Sequence, residues 1–265
     1  MLPCYGRVRC GLRNMRQLLY PRRCPFCERV LGSLPECPDC RTQREELLRR
    51  PNFRLKKEQH YLPNLETAAA PFRYEGCVRR GILRAKYGGQ PWTAAELGVW
   101  MARLLTGCTV RMAGAEPVPQ PMPVFRLEYD CVVPVPPSGK ARGYNVPTLM
   151  AAPLAQAMDL PLEADALCRV RSGRRQAGLS LQERLVNVAG AFRVRNPDTV
   201  EGRRILLVDD VITTGATTSA CAQALLAAGA RSVSAFSLAT VELSPGISRD
   251  DPVREEEDED DFAPD

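Results

Sequence analysis

Apolar residues along this chain fall into short blocks separated by longer amphipathic ones. The short blocks, at 68–74, 130–135, 191–195, 204–209 and 233–238, have strand length. Ile205 to Val208 is continuously apolar, which suits a strand buried on both faces. The amphipathic blocks at 78–87, 93–105, 146–158, 180–188 and 215–228 predict helices. Gly88-Gly89 closes the first of them and Gly229 the last, while the fourth-turn spacing of Leu97, Met101, Leu104 and Leu105 gives the second its apolar face. Residues 146–158 read as helix despite Pro153, and 116–123, with four prolines, predicts a loop without regular structure. Leu12, Met15 and Leu19 mark a short amphipathic turn that Pro21 stops, and 41–58 is a charged, helix-prone connector. Strand and helix alternate from about residue 61 to 243. That order predicts an α/β fold with a doubly wound parallel sheet, preceded by a small module over 1–60 and followed by a tail over 244–265. Ligands of such sheets lie beyond the carboxyl ends of the strands, where Asp209 and Pro136 both fall.

The chemistry concentrates at those ends. The 204–209 strand closes on two acids, Asp209 and Asp210, and Thr213, Thr214, Gly215, Ala216 and Thr217 follow, small and mostly hydroxylated. A strand–loop–helix of this composition aims backbone N–H groups and hydroxyls at an anion, backed by the positive helix N-terminus. Gly215 admits a close backbone approach. Two acids ahead of a phosphate cradle suit sugar hydroxyls, so the implied ligand is a ribose bearing a 5′-phosphate. A second strand, 130–135, runs into Pro136-Pro137-Ser138-Gly139-Lys140-Ala141-Arg142-Gly143, a small basic loop fit for a second anion.

Cys24-Pro-Phe-Cys27 and Cys37-Pro-Asp-Cys40 pair two Cys-x-x-Cys turns nine residues apart. Four thiolates so arranged complete a tetrahedral zinc site, and two knuckles on a short hairpin make a zinc ribbon, folded largely by its structural metal. The other seven of the 11 cysteines are scattered without pairing logic, as in a reduced compartment. The first twenty residues carry Arg7, Arg9, Arg13 and Arg16 without an apolar block, so neither a secretory signal nor membrane insertion is expected, and the expected location is cytoplasmic. The net charge of +5 hides a split: residues 250–265 hold ten acids and one arginine, leaving +14 on the rest. That acidic end is expected to be a disordered tail, and the basic body is a candidate polyanion binder. His60, the lone histidine, falls in the polar connector and offers no partner for a conventional nucleophile.

The run at 204–217 resembles the 5-phosphoribosyl-1-pyrophosphate (PRPP) signature of type I phosphoribosyltransferases. With the paired cysteine turns, Lys86-Tyr87, Val133-Pro134-Val135-Pro136, Arg142-Gly143-Tyr144-Asn145 and Gln176-Ala177-Gly178-Leu179-Ser180 through Glu183-Arg184 to Asn187, the chain resembles the ComF family of competence proteins over residues 15–240. The resemblance implies that Asp209 and Asp210 hold the ribose hydroxyls at the catalytic centre and that Thr213 to Thr217 take the 5′-phosphate. By the same resemblance Pro136, Lys140, Arg142 and Gly143 serve the pyrophosphate, with Mg²⁺ on PRPP, and a mobile loop with Arg174, Arg175 and Gln176 closes over it. It further implies a role in natural competence, with single-stranded DNA, an uptake helicase and recombination proteins as partners. Val146 stands where the family usually has glutamine and Gly173 where it has threonine, and the 138–143 loop is poorer in arginine. The alternatives are an active metabolic phosphoribosyltransferase, for salvage or glycosylamine formation, and a PRPP-sensing regulator without turnover.

Overall fold

The computed structural model describes residues 21–42, 54–56, 60–114, 116–122, 128–137, 143–170 and 190–241. The elements are β1 (Ala68–Ala69), β2 (Phe72–Arg73), α1 (Gly76–Tyr87), α2 (Pro91–Thr106), β3 (Val110–Ala113), β4 (Glu116–Pro119) and β5 (Cys131–Pro134). They continue as α3 (Val146–Met158), β6 (Leu167–Arg169), β7 (Phe192–Val194), β8 (Arg204–Ile212), α4 (Ala216–Ala227) and β9 (Ser232–Thr240).

A parallel sheet forms the centre, in the order β1-β9-β8-β5, with β2 also on β9. Alternate residues of β8 enter opposite cores, because side chains along a strand point to opposite faces. Leu206 and Val208 join Phe236, Ile82, Leu97 and Met150 beneath α1, α2 and α3, whereas Ile205 and Leu207 join Cys221, Leu225 and Val233 beneath α4. Both faces are therefore covered, as the continuous apolar run requires. Each such fully buried aliphatic side chain stabilises the fold by about 1.5–3 kcal/mol. Among the described residues no helix is long and apolar enough to cross a membrane.

The differences from the sequence reading have local causes. The 68–74 strand is two short pieces, parted at Ala70-Pro71, where proline offers no ladder donor. The four-proline stretch is not structureless: Glu116–Pro119 pairs antiparallel with Val110–Ala113. In a two-stranded ribbon each strand has a free edge, so Pro117 and Pro119 can face away from the ladder without breaking it. β6, which no apolar block marks in the sequence, pairs antiparallel with β7. β8 runs three residues past Asp209, so both acids lie within the strand, with Asp209 opposite Ser237 of β9. The predicted helix at 180–188 lies outside the described residues.

Candidate ligand site and metal centre

β5 and β8 deliver two loops side by side. Pro134 stands opposite Val208, and the Val135 N–H donates to the Val208 carbonyl at 2.9 Å. The buried Pro136 is therefore at the same sheet end as the two acids. Asn145 fastens the far end of that loop, donating through Nδ2 to the Val135 carbonyl at 2.8 Å and to Thr148 Oγ1 at 2.9 Å. Gly143 has a positive φ of 74°, and Tyr144 donates its hydroxyl to the Ala85 carbonyl at 2.9 Å. Lys140, Arg142, Arg174, Arg175 and Gln176 lie outside the described residues.

At the end of β8, Asp210 is buried and Asp209 half-buried. The Asp210 N–H donates to Asp209 Oδ1 at 2.9 Å, and Lys86 Nζ from α1 lies 3.0 Å from Asp210 Oδ1. Burial first, and the charge of Asp210 second, push the Asp209 carboxyl up to about 8 against the pull of Lys86. Burial works against the charge on Lys86, but Asp210, with Tyr74 and Asp209 behind it, outweighs burial and raises the ammonium above its ordinary value. One cation thus serves two acids, and the arrangement holds spare capacity for hydroxyl donors or a further cation.

The following turn is built for close approach. Thr214 is buried, its hydroxyl takes the Ala216 N–H at 3.4 Å, and its carbonyl accepts from the Tyr61 N–H at 2.7 Å. Gly215 has φ 85°, and a Cβ there would lie 2.6 Å from the Tyr61 carbonyl oxygen. Ala216 and Thr217 open α4, whose first turn faces the same loop. Asn64 braces α4 from outside by donating to Ser219 at 3.2 Å. The structure therefore brings together Asp209, Asp210, Thr213, Thr214, Gly215, Ala216, Thr217 and Pro136 at one sheet end, with Gly143 tied to α1 through Tyr144.

Sequence reasoning missed three contributors. Lys86 appeared only as part of a motif, although it is one of four lysines in a chain whose other basic residues are arginine. Residues 61–64, which wall the threonine turn, gave no signal. His60 is buried rather than lying in a polar connector, with Nε2 3.0 Å from Thr240 Oγ1, and burial holds its pKa below the usual histidine value. A separate groove of about 390 Å³, lined by Arg54, Leu55, Lys56, Leu62 and Leu65, includes neither acid nor threonine of the turn.

In the N-terminal module the Sγ atoms of Cys24, Cys27, Cys37 and Cys40 lie within 4.8 Å of one another. Zinc–sulfur bonds of about 2.3 Å in a tetrahedron separate sulfurs by about 3.8 Å, and Cys27 and Cys37 are 3.7 Å apart. The donor set and its spacing fit zinc. Burial chiefly, and neighbouring sulfurs after it, raise Cys40 and hold Cys24 at about 11, so crowded thiols require a cation to become thiolates together. The knuckles are not free-standing. Phe26 lies 6.1 Å from the Trp100 ring, and Arg22 donates to Glu96 at 2.9 Å in a buried ion pair. Cys24, Phe26, Leu31, Cys37 and Cys40 share one core with Ile82 and Leu97.

Comparison with known proteins now adds to this geometry. The phosphoribosyl transferase domain family matches residues 148–262, which include β8, the acids and the threonine turn. Competence protein F of Haemophilus influenzae is 28% identical over 220 residues, 82% of this chain and 89% of that protein. The chain is similar to competence protein F along most of its length. DNA utilization protein YhgH of Escherichia coli K12 is 38% identical over 97 residues, 37% of this chain and 42% of that protein's length. Among solved structures, glutamine PRPP amidotransferase from B. subtilis is 24% identical over 54% of this chain and 25% of that chain, with a TM-score of 0.33.

Proposed function

We propose that this chain binds PRPP at the β8–α4 turn and acts in natural competence, supporting uptake of single-stranded DNA across the cytoplasmic membrane. The reading rests above all on the acid pair near the carboxyl end of β8, two residues ahead of a Thr-Thr-Gly-Ala-Thr turn. Asp209 and Asp210 accept from the ribose hydroxyls, and Thr213 to Thr217 with the α4 N-terminus take the 5′-phosphate. The 136–143 loop, with Lys140 and Arg142, faces the pyrophosphate, and Mg²⁺ bound with PRPP offsets its charge. Arg174, Arg175 and Gln176 close over the ligand. The zinc ribbon and the +14 body give the chain a largely electrostatic hold on single-stranded DNA, and a helicase and recombination proteins are its partners in the cytoplasm.

Calorimetric titration with PRPP and excess Mg²⁺ tests the central claim, and saturable binding that requires the acid pair is the expected result. Heat that does not saturate removes the reading. Pyrophosphate release from PRPP that depends on an acceptor, tested with a panel of nucleobases and amines, would add turnover and move the protein to the transferase alternative.

A further inference from the structure

The metal centre and the ligand site meet on the last turn and a half of α1. Lys86 holds Asp210. One residue earlier, the Ala85 carbonyl accepts from the Tyr144 hydroxyl at the close of the 136–143 loop. One residue earlier again, Arg84 is only 7% exposed and donates through Nη2 to the carbonyls of Pro25 at 2.8 Å and Phe26 at 2.9 Å. Those carbonyls belong to the first cysteine knuckle, between Cys24 and Cys27. Glu28, just beyond, lies 3.5 Å from Arg84 Nη1. A turn before, a Cβ at Gly81 would lie 2.5 Å from the Pro25 oxygen, so helix and knuckle touch without side chains between them. Three consecutive residues thus grip the knuckle, the residue that closes the second loop and the Asp210 carboxylate.

This arrangement is stiff for a definite reason. If the knuckle shifts, a buried guanidinium loses both carbonyl acceptors, and leaving such a charge unsatisfied is costly. The end of α1 then has to follow, taking Lys86 and the anchor of Tyr144 with it.

We propose that Arg84 and Lys86 are positioning residues that couple the two sites, so that metal in the four-cysteine knuckles and PRPP at the acid pair favour one another. This rests on the PRPP reading above. Coupling between binding sites is reciprocal: whatever factor zinc contributes to PRPP affinity, PRPP contributes to zinc affinity, and a slower release of zinc is the expected kinetic sign of it. Lys86 acts on PRPP through Asp210, and Arg84 acts through the backbone of α1.

The test uses the full chain loaded with zinc. PRPP is first titrated calorimetrically with Mg²⁺ in excess over its phosphates, and absence of binding removes this inference together with the PRPP reading. With binding established, zinc loss to a chromophoric chelator is timed with and without saturating PRPP. PRPP is expected to slow the loss by about fivefold or more in the wild type, within the usual range of coupling between sites. Arg84→Gln is expected to keep one zinc per chain while its release rate no longer responds to PRPP. Arg84→Lys, which keeps the charge and a donor but not the fork, serves beside it and is expected to retain part of the response. A merely structural arginine would lower the melting temperature and leave the ratio of release rates unchanged. If PRPP binds the wild type yet does not alter zinc loss, or if both variants keep the full response, the coupling is wrong while PRPP binding stands.

Discussion

The two functional regions solve the same electrostatic problem in opposite ways. In the ribbon, four thiols lie within 4.8 Å of one another, and all four come from residues 24–40. At the end of β8, two adjacent carboxylates share burial, and their cation comes from Lys86, far back in the chain on α1. The ribbon gathers like groups in a geometry that fits a metal and holds no cation of its own among the four. The ligand site supplies part of its own balance and leaves the remainder for a ligand. A local cluster that waits for an ion is therefore all or nothing, whereas a site completed by a distant helix can be tuned. The differences in expected mutational response follow from this.

The largest effect is expected from Cys24→Ser with Cys27→Ser. Half the donor set goes, and zinc falls from about one per chain to none by metal analysis. Structural zinc contributes about 10–16 kcal/mol in small isolated modules, and here the knuckles also share a core with Ile82 and Leu97. A melting temperature lower by on the order of 10 °C is expected, several kcal/mol at about 2–4 °C each for a chain of this size. Full zinc content in the double variant would break the comparison at its first term.

Asp209→Asn with Asp210→Asn comes next. Each replacement removes a charge-assisted acceptor worth about 1.5–3 kcal/mol, so PRPP affinity is expected to fall at least tenfold by calorimetry. Stability is expected to fall as well, because the Lys86 ammonium loses the Asp210 carboxylate that balances it. Unchanged PRPP affinity would leave the acids as strand residues without a ligand.

Gly215→Ala sharpens the geometry of the turn rather than its charge. The residue has φ 85°, and its new Cβ would meet the Tyr61 carbonyl at 2.6 Å. A loss of about 1–3 kcal/mol is expected from the strained backbone alone. Thermal unfolding reads it, and PRPP binding should weaken in step because the 61–64 wall has to retreat. Wild-type stability in this variant would show that the turn relaxes freely.

The same contrast governs what a sequence discloses. The cysteine knuckles and the Asp209-Asp210 run are local in sequence, so the grouping of their side chains is legible from spacing alone. The central strands are legible too, since burial on both faces forces Ile205 to Val208 to be apolar throughout. Lys86, Tyr144 and Tyr61 reach the site only through the packing of α1 and of the segment before β1, and no local pattern encodes a tertiary neighbour. The β3–β4 ribbon was obscured because prolines argue against strands in general, while a free edge tolerates them. His60 misled for a related reason: polar neighbours in sequence predict exposure, and its buried contact with Thr240 depends on the far end of the chain.

The smallest effect probes the charge balance itself. Asp209 is held up to about 8 by burial and by Asp210, whereas Lys86 is raised and keeps its proton throughout the neutral range. Near pH 7 the Asp209 carboxyl therefore carries a proton for much of the time. A protonated carboxyl is a poorer acceptor for ribose hydroxyls than a carboxylate, so PRPP binding that uses Asp209 as an acceptor is expected to release that proton. The sign follows: affinity rises as pH climbs through about 8 and levels off once the carboxylate is ionised in the free protein. Phosphate groups, with a second pKa of about 6, are already charged across this window. The gain between pH 7 and pH 9 is expected to be about tenfold, the cost of removing one proton from a group with that pKa. Calorimetry at pH 7 in buffers of different ionisation heat should record close to one proton released per PRPP, and Asp209→Asn should abolish both the release and the slope. A flat affinity from pH 7 to 9 in the wild type would mean that Lys86 alone already balances both acids, and that the ligand site is as self-contained as the ribbon is not.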